Sequence, residues 1–237
     1  MRTFVINLNK NVDRMEFMDR QLKRLNCDYE RIPAVYGKEM TLKEKRREFS
    51  SIRSFLASGF KLRDGEIGCS LSHCMIYKKM KQRGISAALI FEDDVLITDK
   101  LSDAISRVVQ FMDCAKKQVF LLSSLGVRVQ QELEIQRIKA GMCADGYIIT
   151  LPAAECIYKA NYPVLTVADR WERWVKRFDV ELYRVWPTVV CQNNDKFGTD
   201  ISMVKRRSFR GLSKLVYKIS RAIELVIDWV LYKILGR

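Results

Sequence analysis

At 237 residues, 48% apolar and 30% charged, the chain has the composition of one globular domain, or of a domain with an appendage, and not of a disordered protein. Its formal net charge of +14 is uneven: the last 33 residues carry nine Lys/Arg against two acids, half of the whole excess. No run of eighteen apolar residues, no secretory leader and no C-x-x-C pair among the seven cysteines occurs, so neither a membrane span, a disulfide framework nor a paired-cysteine zinc site is expected.

In chain order, Arg2–Leu8 predicts a first strand, and Asn9–Asn11 a loop. From Val12 a helix follows, with Met15, Met18, Leu22 and Leu25 at helical spacing and Arg14 on it. Tyr29–Ile32 predicts a second short strand, and Pro33–Gly37 turns out of it. This β-α-β opening can form a nucleotide crevice, or simply an ordinary α/β edge. Residues 38–64 are basic and predict a helix plus a mobile loop. Gly65 and Gly68 then precede a helix whose apolar face is Leu71, Met75 and Met80, ended by Gly84. The amino end of that helix can meet an anion. His73, the only histidine, lies in its first turns, which excludes any mechanism needing two histidines.

The chain is organised around Ala87-Ala88-Leu89-Ile90-Phe91-Glu92-Asp93-Asp94-Val95-Leu96. The apolar run is short enough for a buried strand of a parallel sheet. Charged groups are rarely buried unless paired or holding a metal, so the strand surfaces at Glu92, at its carboxyl end, where open α/β sheets bind ligands. Three adjacent carboxylates suit a divalent Mg²⁺ or Mn²⁺ carrying a phosphate; the competing reading is a solvated acidic turn.

Beyond it, Asp103–Lys117 predicts a helix and Val119–Ser124 a core strand, while Gln130–Lys139 is ambiguous. Gly146–Thr150 predicts a strand, and Pro152 opens a helix. Tyr162–Asp169 reads as an extended segment ending in an acid, before a helix marked by Trp171, Trp174 and Phe178. Asp169 is placed to cap that helix. Leu182–Pro187 predicts a late strand. Alternating helices and strands over residues 1–204 predict one α/β domain. Residues 205–237 form a separate tail, where Leu212, Leu215, Val216, Ile219, Ile223, Val226, Val230 and Ile234 make an apolar stripe opposite Lys214, Lys218, Arg221 and Asp228. A basic amphipathic helix of this kind suits a membrane surface, or else packs on the domain or on a partner subunit.

Taken together, "VINLNKNVDRMEFMDRQL", "YERIPAVYG", "GEIGCSLSH", "ALIFEDDVL", "DGYIIT", "YPVLTVAD" and "VVCQ" resemble, in order, glycosyltransferase family 25, the bacterial lipooligosaccharide galactosyltransferases and their collagen-glycosylating relatives. The resemblance covers roughly residues 1–200 and implies a GT-A type, Rossmann-like fold, a UDP-sugar donor and a divalent metal. Tyr36 stands where the family often has Asp, and Cys143 and Ala144 where it commonly has a Gly-Thr pair.

On that resemblance, Asp93 and Asp94 hold Mn²⁺ or Mg²⁺, and Glu92 holds the ribose or a metal-bound water. Arg14 pairs with a phosphate, Asn7 with the base or ribose, and Gln192 reaches donor or acceptor. Gly65 belongs to the donor cradle. An inverting mechanism requires a carboxylate base, with Asp169 first choice and Glu66 and Asp145 runners-up. The expected acceptor is a lipooligosaccharide sugar at the cytoplasmic face of the inner membrane. The competing class is a basic nucleic-acid- or membrane-binding module without catalysis, using residues 38–64 and the tail; the acidic strand end and a tail that is amphipathic rather than merely basic speak against nucleic acid, and no nucleic-acid partner is expected.

Overall fold

The computed structural model describes residues 1–58, 60–124 and 132–193, together with Phe197, Ile219, Ala222 and Val226. Strand β1 (Arg2–Asn7) leads to helix α1 (Val12–Arg24) and strand β2 (Glu30–Pro33). Helices α2 (Leu42–Glu48) and α3 (Ser51–Ser58) precede the long α4 (Asp64–Arg83). Strands β3 (Ala87–Glu92) and β4 (Val95–Ile97) flank the acidic turn, followed by α5 (Leu101–Phe111) and β5 (Gln118–Leu121). The rest comprises β6 (Glu134–Ile138), β7 (Gly146–Thr150), α6 (Leu151–Asn161), α7 (Trp171–Phe178), β8 (Glu181–Trp186) and β9 (Val190–Gln192).

Seven strands form one sheet in the order β2-β1-β3-β7-β5-β8-β6. β1 pairs parallel with β2 and β3, and β5 with β8. β7 runs antiparallel between β3 and β5, and β6 antiparallel at the edge beside β8. Five strands therefore point one way and two the other. Side-chain alternation sends Phe4, Ile6, Ala88 and Ile90 to a core layer shared with α4, α6 and α7. Val5, Leu89 and Phe91 go to the opposite layer, against Met18 and Leu22 of α1 and Leu101 and Val108 of α5. With both faces covered, the central strands are apolar throughout. The chain thus has the expected α/β architecture, and β1 and β3 end side by side at Asn7 and Glu92.

Several expectations need correction. The sheet is mixed, not parallel. Residues 38–64 hold two helices. The first is entered by a capping box, with Thr41 Oγ1 accepting from the Glu44 N–H and the Glu44 carboxylate from the Thr41 N–H. Gly65 and Gly68 lie inside α4 rather than before it. A Cβ on Gly68 would sit 2.3 Å from the Val35 carbonyl oxygen and 2.8 Å from the Gly37 nitrogen, so α4 begins pressed against the 35–37 turn. Within α4, Leu71 and Met80 are buried but Met75 is 43% exposed. Helix α5 stops at Phe111, where the Asp113 side chain accepts from the Ala115 N–H and turns the chain. The ambiguous 130–139 stretch yields the edge strand β6, polar because it is exposed. Among the described residues, the extended 162–169 segment pairs with the rest of the chain only through the Phe49–Val164 bridge, and the Asn161 side chain, accepting from the Leu165 and Thr166 N–H groups at 3.1 and 3.0 Å, bends it from there on. The boundary at 204/205 and most of the amphipathic stripe lie outside the described residues; Ile219, Ala222 and Val226 are helical and exposed.

Candidate active site

The carboxyl ends of β1 and β3 open into a cleft. Glu92, Asp93 and Asp94 line it, with Arg14 from α1, Gly65 and Cys69 from α4, Tyr36 from the 33–37 turn and Gln192 from β9. The pairing of β4 with β9 puts Gln192 opposite Val95, and the Asn193 N–H donates to the Asp94 carbonyl at 2.8 Å, so the acidic turn is braced on its far side.

The two aspartates differ. Asp93 Oδ2 accepts from Asn7 Nδ2 at 2.6 Å and Oδ1 from Arg14 Nη1 at 3.3 Å. Asp94 Oδ2 lies 3.7 Å from Arg14 Nη1, whereas its Oδ1 is buried with no hydrogen-bond partner. Burial, then the charges of Glu92 and Asp93, raise the Asp94 carboxyl to about 7. Burial also raises Asp93, with Asn7 and Arg14 opposing it.

Asn7 is buried, and its amide is engaged by Asp93, by the Asn11 carbonyl at 2.9 Å and by Arg31 Nε at 2.8 Å. Arg14 also donates to the Phe197 carbonyl at 3.0 Å and lies over that ring. Asp145 is buried, its carboxylate taking a short hydrogen bond from Ser123; burial raises it to about 6. Its carbonyl accepts from the Glu92 N–H at 2.9 Å.

Asp169 does not cap α7 with its side chain. The first residue before that helix is Arg170, and no side-chain cap bond forms. Instead Asp169 Oδ2 accepts from the Cys143 N–H at 3.4 Å, and the Cys143 carbonyl accepts from Trp171 Nε1 at 2.8 Å. Burial raises the Asp169 carboxyl, and Glu92 adds to the rise. Cys143 has φ +70°, a backbone conformation that favours glycine. Glu66, by contrast, sits in the first turn of α4 and accepts from the Arg63 N–H at 2.8 Å.

The structure therefore brings Glu92, Asp93, Asp94, Asp145 and Asp169 to one end of the sheet. It places Arg14, Gly65 and Gln192 on the cleft wall, and gives Glu66 to the helix entrance. Sequence reasoning missed the group beneath Glu92. His73 Nδ1 lies 2.7 Å from Tyr147 Oη, His73 Nε2 3.3 Å from Glu92 Oε1, and Tyr77 Oη 2.7 Å from Tyr147 Oη. The "GEIGCSLSH" stretch marked Cys69 and His73, but only a long-range fold could show that β3 and β7 meet them.

The family model for glycosyltransferase family 25 (LPS biosynthesis protein) matches residues 1–171. The chain belongs to glycosyltransferase family 25. Among its curated relatives are procollagen galactosyltransferases 1-A and 1-B of Xenopus laevis, 28% and 33% identical over 174 residues, covering 67% of this chain and 28% of theirs. The human inactive glycosyltransferase 25 family member 3 is 27% identical over 149 residues, covering 61% of this chain and 25% of its own. The chain thus spans about a quarter to a third of the length of these family 25 proteins, one of which is named as inactive. For this family 25 chain, the chemistry has to be argued from its own residues.

Proposed function

We propose that the chain is an inverting, metal-dependent glycosyltransferase that moves galactose from UDP-galactose to an acceptor sugar, in lipooligosaccharide core synthesis. The observation that carries this reading is the partnerless, buried Oδ1 of Asp94 in a cleft where three consecutive carboxylates converge. Such an atom costs stability unless a ligand meets it. A hard divalent cation fits this all-oxygen donor set, with Asp93 and Asp94 as the residues that would hold Mn²⁺ or Mg²⁺. A cation held there would supply neutralisation of the charge on a departing diphosphate.

The protein's own residues supply the remainder. Asn7 and Arg14 fix Asp93, so Asn7 acts through that carboxylate rather than on the nucleotide. Arg14 carries positive charge along the cleft wall toward the phosphates. Asp169 is the proposed base: it is held by a backbone N–H, and burial, with the charge of Glu92, raises its carboxyl and makes it a better proton acceptor than a free aspartate. It would accept the proton of the acceptor hydroxyl as that oxygen attacks the anomeric carbon from the face opposite the diphosphate. Asp145, with its carboxyl bound by Ser123, stands behind Glu92 as the alternative. The choice of galactose is supported by relatives named as galactosyltransferases, and a lipooligosaccharide acceptor by a family description that refers to LPS biosynthesis.

No helix among the described residues is long and apolar enough to cross a membrane. We infer that residues 205–237 dock on an anionic cytoplasmic membrane face, with each Lys or Arg contributing about 1 kcal/mol. The test of function is a nucleotide-sugar panel with and without Mn²⁺, reading released nucleotide and, with acceptor, the anomeric configuration of the product by NMR. UDP-galactose turnover that needs the metal and inverts the anomeric centre is the expected result. Retention of configuration would remove Asp169 as base, and indifference to every nucleotide sugar would sink the enzymatic reading.

A further inference from the structure

At the floor of the cleft, beside but separate from the aspartate pair, three side chains of different chemistry converge. Cys69 Sγ lies 3.6 Å from Glu92 Oε1, and His73 Nε2 lies 3.3 Å from the same oxygen. The three ligand atoms fall within 4.8 Å of one another, the one such Cys/His/acid group among the described residues. We propose that Cys69, His73 and Glu92 form a thiophilic cation site that takes Zn²⁺, distinct from the all-oxygen site of Asp93 and Asp94.

Geometry supports it. A tetrahedral zinc with Zn–S of about 2.3 Å and Zn–N and Zn–O of about 2.0 Å places sulfur and oxygen about 3.5 Å apart and nitrogen and oxygen about 3.3 Å apart. The sulfur–oxygen and nitrogen–oxygen separations match those edges, and the third, sulfur to nitrogen, is within 4.8 Å. The supporting shell also fits. His73 Nδ1 can donate to Tyr147 Oη at 2.7 Å, and Tyr147 Oη is bonded to Tyr77 Oη, which fixes the ring and turns Nε2 toward Glu92. Cys69 and Glu92 line the cleft, so an ion can enter from it. Protons balance simply. The Cys69 thiol proton leaves to solvent, His73 keeps its one proton on Nδ1, and thiolate plus carboxylate neutralise the ion. Without an ion, burial and the neighbouring Glu92 hold the thiol protonated, so binding is coupled to that release. The lack of a C-x-x-C pair does not bear on this site, because its ligands come from α4 and β3. The inference is independent of the glycosyl-transfer reading.

Titrating the full chain with Co²⁺ tests it, because thiolate ligation produces a sulfur-to-cobalt charge-transfer band. One equivalent should bring up the band, and Zn²⁺ should remove it where excess Mg²⁺ does not. Cys69→Ser should lose the band and weaken Zn²⁺ at least ~10-fold, the floor set by losing even an outer-shell partner. The Cys114→Ser/Cys191→Ser chain, lacking the two exposed thiols, should keep it. Should Cys69→Ser fail to fold, mass spectrometry of the wild type decides instead: Zn²⁺ should protect Cys69 from alkylation. Absence of the band in wild type, its survival in folded Cys69→Ser, or unprotected Cys69 would each overturn the proposal.

Discussion

Two acidic regions, one at the entrance of α4 and one on the cleft wall at the end of β3, behave in opposite ways. At the entrance of α4, Asp64 pairs with Lys45 at 2.8 Å and Glu66 accepts the Arg63 N–H. These acids sit at the positive end of a helix dipole and stabilise the fold. At the end of β3, burial raises Asp93 and Asp94, and one Asp94 oxygen has no partner at all. Those acids cost stability and are held in place by the sheet around them. In sequence the two regions look alike, as short acidic stretches beside apolar runs. Whether a carboxylate has its hydrogen bonds supplied by the fold is what separates a structural acid from one kept for a ligand.

The largest effect expected from breaking that contrast is at Asp94. Asp94→Asn should abolish Mn²⁺-dependent turnover while raising the thermal stability of the metal-free chain. Full activity of this variant in chelator would overturn the metal assignment. The sign of the pH dependence follows from the same group. Its folded value of about 7 lies above its ordinary value of 3.8, so the folded chain holds the proton more tightly than the unfolded chain does. The stability it contributes is therefore present at low pH and is lost as pH rises through about 7. Melting curves of metal-free wild type should fall relative to Asp94→Asn across that interval. A parallel pair of curves would show that Asp94 is not the group titrating.

Next in size is Asp169. Asp169→Asn should lower kcat by at least ~10²-fold with UDP binding by calorimetry unchanged. Because the side chain does not cap α7, the melting temperature should move little. A variant with normal kcat would transfer the role to Asp145.

Much of this arrangement was legible. The apolar run 87–91 ending in three acids gave the central strand and its cleft edge, and the β-α-β opening placed Asn7 and Arg14 beside it. Long-range pairing was not legible. Nothing in Gly146–Thr150 states that it runs antiparallel to β3, since a strand buried on both faces reads the same in either direction. The face of α4 was misjudged because that helix is buried nearly all round. Ser72, His73 and Cys74 are buried where Met75 is not, so hydrophobic periodicity carries no signal there. The capping box of α2 was missed although Thr41-Leu42-Lys43-Glu44 spells it.

A smaller effect belongs to the structural acids. Glu66→Ala should cost about 1 kcal/mol through the lost cap at α4, read as a lower denaturation midpoint. In contrast with Asp94 and Asp169, kcat should stay within a few-fold. A loss as large as that of Asp169→Asn would mean that Glu66 belongs to the reacting group.

The smallest effect sharpens the boundary between backbone and side-chain roles. Cys143 serves Asp169 only through its backbone, donating its N–H to the carboxylate and accepting from Trp171 at its carbonyl. Its φ of +70° costs a residue with a Cβ about 1–2 kcal/mol relative to glycine. Glycine in turn gives back about 0.4–1 kcal/mol through the greater freedom of the unfolded chain. Cys143→Gly should therefore stabilise by up to about 1.5 kcal/mol, a rise of about 3–6 °C at most for a chain of this size. The base keeps its N–H donor, so kcat should be unchanged. Cys143→Val leaves the same N–H in place but puts a β-branched side chain at positive φ, and should melt lower than wild type. If glycine lowers both stability and kcat, the thiol itself supports the site, and Asp169 is positioned by more than the backbone.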